Sequence, residues 1–96
     1  VARVKHVVNS DGQHYGYHFH CPGCDDEHVI PTRPHPQGWE FEGNENAPTF
    51  SPSILCYETK VSPRCHSFVR NGRIEFLSDS THKLAGQTVD LPEIPD

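Results

Sequence analysis

Cys65-His66-Ser67-Phe68-Val69-Arg70-Asn71-Gly72-Arg73-Ile74-Glu75-Phe76-Leu77-Ser78 is the stretch whose reading decides the fold. Asn71-Gly72 is the residue pair that a type I′ turn requires, because both central positions take positive φ, and runs of alternating apolar residues flank it on each side. The stretch therefore predicts a β-hairpin. With a two-residue loop the register follows: Arg70 faces Arg73, Val69 faces Ile74, Phe68 faces Glu75, Ser67 faces Phe76 and His66 faces Leu77. Cys65, Ser67, Val69, Ile74 and Phe76 then share an inward face. His66, Phe68 and Leu77 share the outer one, joined by Asp79 if the pairing continues. The neighbours Cys65 and His66 thus point opposite ways.

Working outward, Val1 to Val8 reads as a strand and Asn9-Ser10-Asp11-Gly12 as the turn after it. Tyr15, Tyr17 and Phe19 alternate with Gly16, His18 and His20, which places aromatics on one face and histidines on the other. This strand runs into Cys21-Pro22-Gly23-Cys24. After Val29-Ile30 comes a loop with Pro31, Pro34, Pro36 and Gly38, a composition that sustains neither helix nor central strand. Trp39-Glu40-Phe41 is a short strand, residues 43–48 a loop, and Thr49 to Tyr57 a further extended segment. Asp79 to Gly86 opens on capping residues and stops at glycine, which predicts one short helical turn. Gln87 to Leu91 is a last strand, and Pro92 to Asp96 a tail. The expected fold class is mostly β (small α+β): a compact antiparallel sheet with a zinc knuckle at one edge and one short helical turn, forming a single zinc-stapled domain over residues 1–96.

Ninety-six residues with 33% hydrophobic side chains and nine prolines leave little apolar core, so a covalent or metal staple is expected. A formal charge of -5 argues against nucleic acid, which needs a basic face. No stretch approaches a membrane span and no secretory signal pattern is present, and a close cysteine pair that suits a metal better than a disulfide makes the cytoplasm the expected location. The chain has no methionine, as expected of a removed initiator or a trimmed start.

Cys21 and Cys24, three positions apart on a Pro-Gly turn, suit one tetrahedral zinc ion better than a disulfide. Cys65 is the third expected ligand, because the hairpin turns it inward, and His28 the fourth, with His20 and His82 competing for that place. Cys56 reads as a small buried hydrophobe. A closed site of three thiolates and an imidazole is structural, which moves any chemistry to other residues. Ser53, kept out of helix by Pro52, presents a hydroxyl on an extended segment. His66 has Asp79 as a diagonal neighbour, and the three form a candidate relay in which the imidazole takes the serine proton and the carboxylate orients the imidazole. His82, three residues beyond Asp79, is an alternative base. Each residue also has a plainer reading: serine beside proline satisfies backbone, His66 ligates zinc with Cys65, and Asp79 caps a helix. No Gly-x-Ser-x-Gly elbow is present.

Phe19-His20-Cys21-Pro22-Gly23-Cys24, Ala47-Pro48-Thr49-Phe50-Ser51-Pro52-Ser53, Cys65-His66-Ser67-Phe68-Val69, and Asp79-Ser80-Thr81-His82 followed by Leu84-Ala85-Gly86-Gln87-Thr88 occur in that order across nearly the whole chain. The series resembles a family of small phage and bacterial proteins. Some of its members sit in bacterial ubiquitin-like (Bub) conjugation operons, where they are described as serine proteases resembling deubiquitinases. The resemblance implies a peptidase that cuts a peptide or isopeptide bond after a ubiquitin-like protein, with that protein or its conjugates as partner. Relatives that carry cysteine at the position of Ser80 argue against Ser80 as nucleophile. The metal-dependent deubiquitinase pattern begins at His18-x-His20 but fails at His28, where a serine is required. The rival expectation is a non-catalytic zinc-ribbon-like module that binds a partner through Trp39 and the outer hairpin face.

Overall fold

The computed structural model describes residues 2–94. Strands β1 (Lys5–Val8), β2 (His14–Cys21) and β3 (Asp26–Pro31) form one antiparallel sheet in that order. Strands β4 (Glu40–Gly43), β5 (Pro48–Cys56), β6 (Cys65–Arg70), β7 (Arg73–Phe76) and β8 (Thr88–Asp90) form a second, five-stranded antiparallel sheet, also in chain order.

The β6–β7 hairpin has the register that its turn dictates, from Arg70 opposite Arg73 to Ser67 opposite Phe76. Asn71 and Gly72 take the positive φ values of 52° and 78° that the turn needs. Cys65, Ser67, Val69, Ile74 and Phe76 are all buried, as the pleat requires of one face. They meet the aromatic face of β2: Phe19 is fully buried and stacks on Phe50 of the other sheet at 6.4 Å, and Tyr17 stacks on Phe41 at 4.3 Å. Val4 and Leu91 complete the core near the two ends of the described chain.

The expected single sheet is two. Residues 31–38 carry the chain from one sheet to the other, tied by Trp39 N–H to the Pro31 carbonyl at 2.9 Å and Arg33 N–H to the Trp39 carbonyl at 3.0 Å. Gly38 is needed at this crossing, because a Cβ there would lie 2.5 Å from the Thr32 carbonyl carbon. Strand β3 is longer than Val29-Ile30 suggests, since its exposed first residues Asp26 and Glu27 break the apolar pattern while still pairing with β2. Strand β1 begins at Lys5; Val1, the start of the expected strand, and Pro95-Asp96 of the tail lie outside the described residues.

No helical turn forms over Asp79–Gly86. Separate i to i+3 turns replace it, Ser80 N–H to Leu77 O and Ala85 N–H to His82 O. The side chains expected to cap a helix are engaged elsewhere: Asp79 on His66, Ser80 on the His66 backbone and Thr81 on the Arg64 backbone. No helix among the described residues is long and apolar enough to cross a membrane.

Candidate active site and metal centre

Strands β5 and β6 pair Phe50 with Val69 and then Ile54 with Ser67, so Ser51-Pro52-Ser53 stands opposite Phe68 alone. This bulge lets β5 resume with Leu55 across from His66, and Ser53, two residues earlier, lies diagonal to His66 on the same outer face. Ser53 Oγ is 3.2 Å from His66 Nε2. On the other side of the ring, His66 Nδ1 is 3.1 and 3.2 Å from the two carboxylate oxygens of Asp79. A carboxylate only accepts, so Nδ1 carries the proton and Nε2 turns its lone pair to the serine hydroxyl. The His66 side chain is 24% exposed and Asp79 48%, which leaves the line open to a large substrate.

Asp79 is held there by its neighbours. Ser80, buried, accepts from His66 N–H at 3.0 Å and donates to the His66 carbonyl at 3.1 Å with the same Oγ. Thr81 accepts from Arg64 N–H through Oγ1 at 2.8 Å and donates its own N–H to the Arg64 carbonyl at 3.0 Å. The segment 79–81 thus lies along residues 64–66, and the carboxylate that leads it meets the imidazole. Sequence reasoning missed these two supports, because Ser and Thr behind an aspartate carry the same signature whether they cap a helix or satisfy a neighbouring strand. On the nucleophile's side, Trp39 Nε1–H donates to the Ser53 carbonyl at 3.1 Å. Trp39 is half-buried and packs against the core, so it is not the exposed docking aromatic expected of a binding module.

His82, the alternative base, is not brought to this line. Its ring lies edge-on to Phe76 at 4.5 Å and fills the space where a Cβ on Gly23 would sit, 2.3 Å from Cε1. Its Nδ1 accepts from Leu84 N–H at 3.2 Å.

Beneath the hairpin, Cys21, Cys24, His28 and Cys65 place one ligand atom each within 4.8 Å of one another. The knuckle lies where β2 turns into β3, the edge strand of the three-stranded sheet. Cys21 closes β2, His28 projects from β3, and Cys65 opens β6, so the cluster joins the two sheets. All four cysteines of the chain are reduced. The donors fit tetrahedral zinc. The Cys21 and Cys65 sulfurs are 3.7 Å apart, close to the ~3.8 Å edge of a tetrahedron with zinc–sulfur bonds of ~2.3 Å. His28 Nε2 is buried without a hydrogen-bond partner, which a metal bond would satisfy. Of the other contenders, His20 bonds Asp25 at 3.0 Å, and His82, whose Nε2 is likewise buried without a hydrogen-bond partner, lies outside the four-residue cluster. Cys56 is partly buried against the core and sets Sγ 3.8 Å from His28 Nδ1.

The donors share their protons unevenly. The hydrogen bond from Cys65 outweighs burial and holds the Cys21 thiol down to about 4. That bond to the Cys21 thiolate, reinforced by burial, pushes Cys65 far above the usual thiol range, and burial followed by the Cys21 charge raises Cys24. Burial disfavours a charged His28, yet the nearby Cys21 and Cys56 sulfurs outweigh it and push the ring up to about 11.

An open cleft of about 660 Å³ lies between β1 and β4, bordered by Lys5, Tyr17, Phe41 and Asn44, and contains no residue of the Ser53 line. The outer face of the hairpin is the better candidate for chemistry, because it carries the convergent groups that the cleft lacks. The family described as bacterial ubiquitination-like system serine protease (BubE) matches residues 2–77. That span holds Ser53, His66 and all four candidate metal ligands, and stops just short of Asp79. No curated protein and no solved structure matches the chain.

Proposed function

Because the chain belongs to the family of bacterial ubiquitination-like system serine proteases, we propose that it cuts the peptide or isopeptide bond after the C-terminus of a ubiquitin-like protein, in the cytoplasm, with Ser53 as nucleophile, His66 as general base and Asp79 as orienting carboxylate. The observation that carries this reading is the unbroken line from Ser53 Oγ through both ring nitrogens of His66 to the Asp79 carboxylate. Ser53 Oγ attacks the carbonyl carbon while its proton passes to His66 Nε2. The carbon–nitrogen bond then breaks, and the same proton goes from Nε2 to the leaving amine. Water, deprotonated by Nε2, attacks the acyl-enzyme, and Ser53 recovers its proton as the acid leaves. Asp79 accepts from Nδ1–H throughout and steadies the imidazolium.

Cys21, Cys24, His28 and Cys65 would hold a structural zinc ion, which supplies a cross-link between the sheets and makes residues 1–96 one stapled unit. His66 stands outside that ligand set, since its two ring nitrogens face Ser53 and Asp79.

Labelling by a fluorophosphonate tests the reading. An activated Ser53 forms an Oγ–phosphorus bond, fluoride leaves and the proton passes to His66. Covalent addition mapped to Ser53, lost in Ser53→Ala and His66→Ala proteins that keep their zinc, is the expected result. Absence of labelling in the folded, zinc-loaded protein refutes it.

A further inference from the structure

We propose that the substrate's main chain docks as an added β-strand along the open edge of β5 from Ser53 to its end and on to Tyr57, which deepens the serine-relay reading of that site and rests on it. The hydrogen-bond phase of the sheet carries the inference. Leu77 N–H donates to the His66 carbonyl at 2.8 Å, so His66 spends its main-chain groups toward the β7 side. Alternation along β6 then turns Cys65, Ser67 and Val69 toward β5. Their partners there are Cys56, Ile54 and Phe50. The main-chain groups of Ser53, Leu55 and Tyr57 consequently face away from β6.

On that far side β4 pairs only with Pro48 to Ser51. Among the described residues, the one hydrogen bond to the outward-facing main-chain groups of Ser53, Leu55 and Tyr57 is that of the Trp39 indole N–H on the Ser53 carbonyl. Leu55 is 37% exposed and Tyr57 71%, and β5 takes no strand partner on this side beyond Ser51. A row of unsatisfied N–H and C=O groups is a template for an extended peptide, because it offers bonds to main chain at every second residue and to nothing else so regularly. Here the row starts at the nucleophile. A chain laid along it passes beside Ser53 Oγ, and Trp39 closes the track where β4 begins.

The occupant is thereby fixed as a segment able to become fully extended: a flexible chain terminus joined to its leaving group, not a helix or a folded loop. Recognition by main chain also explains why the outer face needs no free charge. Its Arg70 and Glu75 are paired at 3.2 Å, and Arg64 is held by Glu58 at 2.6 and 2.9 Å.

The test is a backbone scan. A bacterial ubiquitin-like protein is joined by semisynthesis to a fluorescent peptide leaving group, and each of the four peptide bonds before the junction is N-methylated in turn. Cleavage is expected to fall by about tenfold or more at alternate bonds, where an N–H is lost to the edge, and to change little at the bonds between. Leu55→Pro removes an edge N–H while leaving the ladder to β6 intact. It should lower kcat/KM by about tenfold with fluorophosphonate labelling of Ser53 unchanged. Cleavage with no alternation overturns the added strand and leaves the serine reading standing. Alternation that Leu55→Pro does not weaken places the strand elsewhere and also overturns the proposal. No cleavage of the unmodified fusion, with no labelling of Ser53, removes both.

Discussion

Zinc loading of the chelator-stripped protein should release about three protons, and the same three across a wide pH range. Cys21, held near 4, has no proton to give above pH 5.5. Cys24 and Cys65, both raised, give one each, and His28, raised to about 11, must shed one before Nε2 can offer a lone pair. Ordinary thiol and imidazole values give a different curve: about four protons at pH 5.5, when the imidazole is charged as well, falling to fewer than two at pH 8.5. The preassembled cluster instead predicts a flat count between those limits. The sign of the affinity follows. Each proton that must leave makes binding about tenfold weaker per unit of acidification, so three make it about a thousandfold weaker from pH 7 to pH 6, or roughly 4 kcal/mol. Calorimetric titration in buffers of different ionisation enthalpy measures the count directly. A count that slides from about four to below two would refute the reasoning, because it would mean that the four donors are not gathered before the ion arrives.

Further outcomes follow from the relay and its supports. Ser80→Ala leaves the part-buried His66 N–H without its acceptor and should cost about 1 kcal/mol of stability, read by thermal unfolding, together with slower fluorophosphonate labelling of Ser53. Asp79→Asn keeps the size of the side chain but removes the charge that orients Nδ1–H, so kcat should fall about a hundredfold or more with zinc content unchanged. Gly23→Ala drives a methyl into the His82 ring and should loosen the knuckle, lowering the unfolding temperature and zinc affinity; in a His82→Ala background the same change should be nearly neutral, and an equal loss in both backgrounds would show that the contact is not the cause.

Much of this arrangement was legible wherever one local rule sufficed. Asn71-Gly72 allows one tight turn, and that turn sets which hairpin residues point inward; the side chains of Cys65 and His66 part for that reason alone. The nearness of Asp79 to His66 was expected from continued pairing, but the ladder ends at Phe76 and the bonds of Ser80 and Thr81 to residues 64–66 bring the carboxylate there instead. Three features resisted. The diagonal approach of Ser53 to His66 depends on the bulge at Ser51–Ser53, and no periodicity announces how many residues a strand will insert opposite a single partner. The split into two sheets depends on where the proline-rich crossing at residues 31–38 carries the chain, a matter of tertiary packing. Asp79-Ser80-Thr81 was misread because short polar side chains serve any unsatisfied backbone. Here that backbone belonged to residues 64–66 of a distant strand, and a helix never began.

The placement of the staple relative to the relay argues that the two are one design. Cys65 and His66 are consecutive, and the pleat sends one side chain down to the metal donors and the other up to Ser53. On the adjacent strand the pattern repeats: Cys56, opposite Cys65, sets its sulfur against His28, while Leu55, opposite His66, stays on the outer face two residues from Ser53. On β6 the donor Cys65 thus lies next to His66, and on β5 Cys56 meets His28 three residues beyond Ser53. In a chain with so small an apolar core, packing alone would let two strands and a bulge shift by a fraction of an ångström, and a serine–imidazole contact of 3.2 Å is sensitive to shifts of that size. On the proposed reading, a metal ion held by Cys21, Cys24, His28 and Cys65 would fix the β6 end of the Ser53–His66 contact without touching substrate.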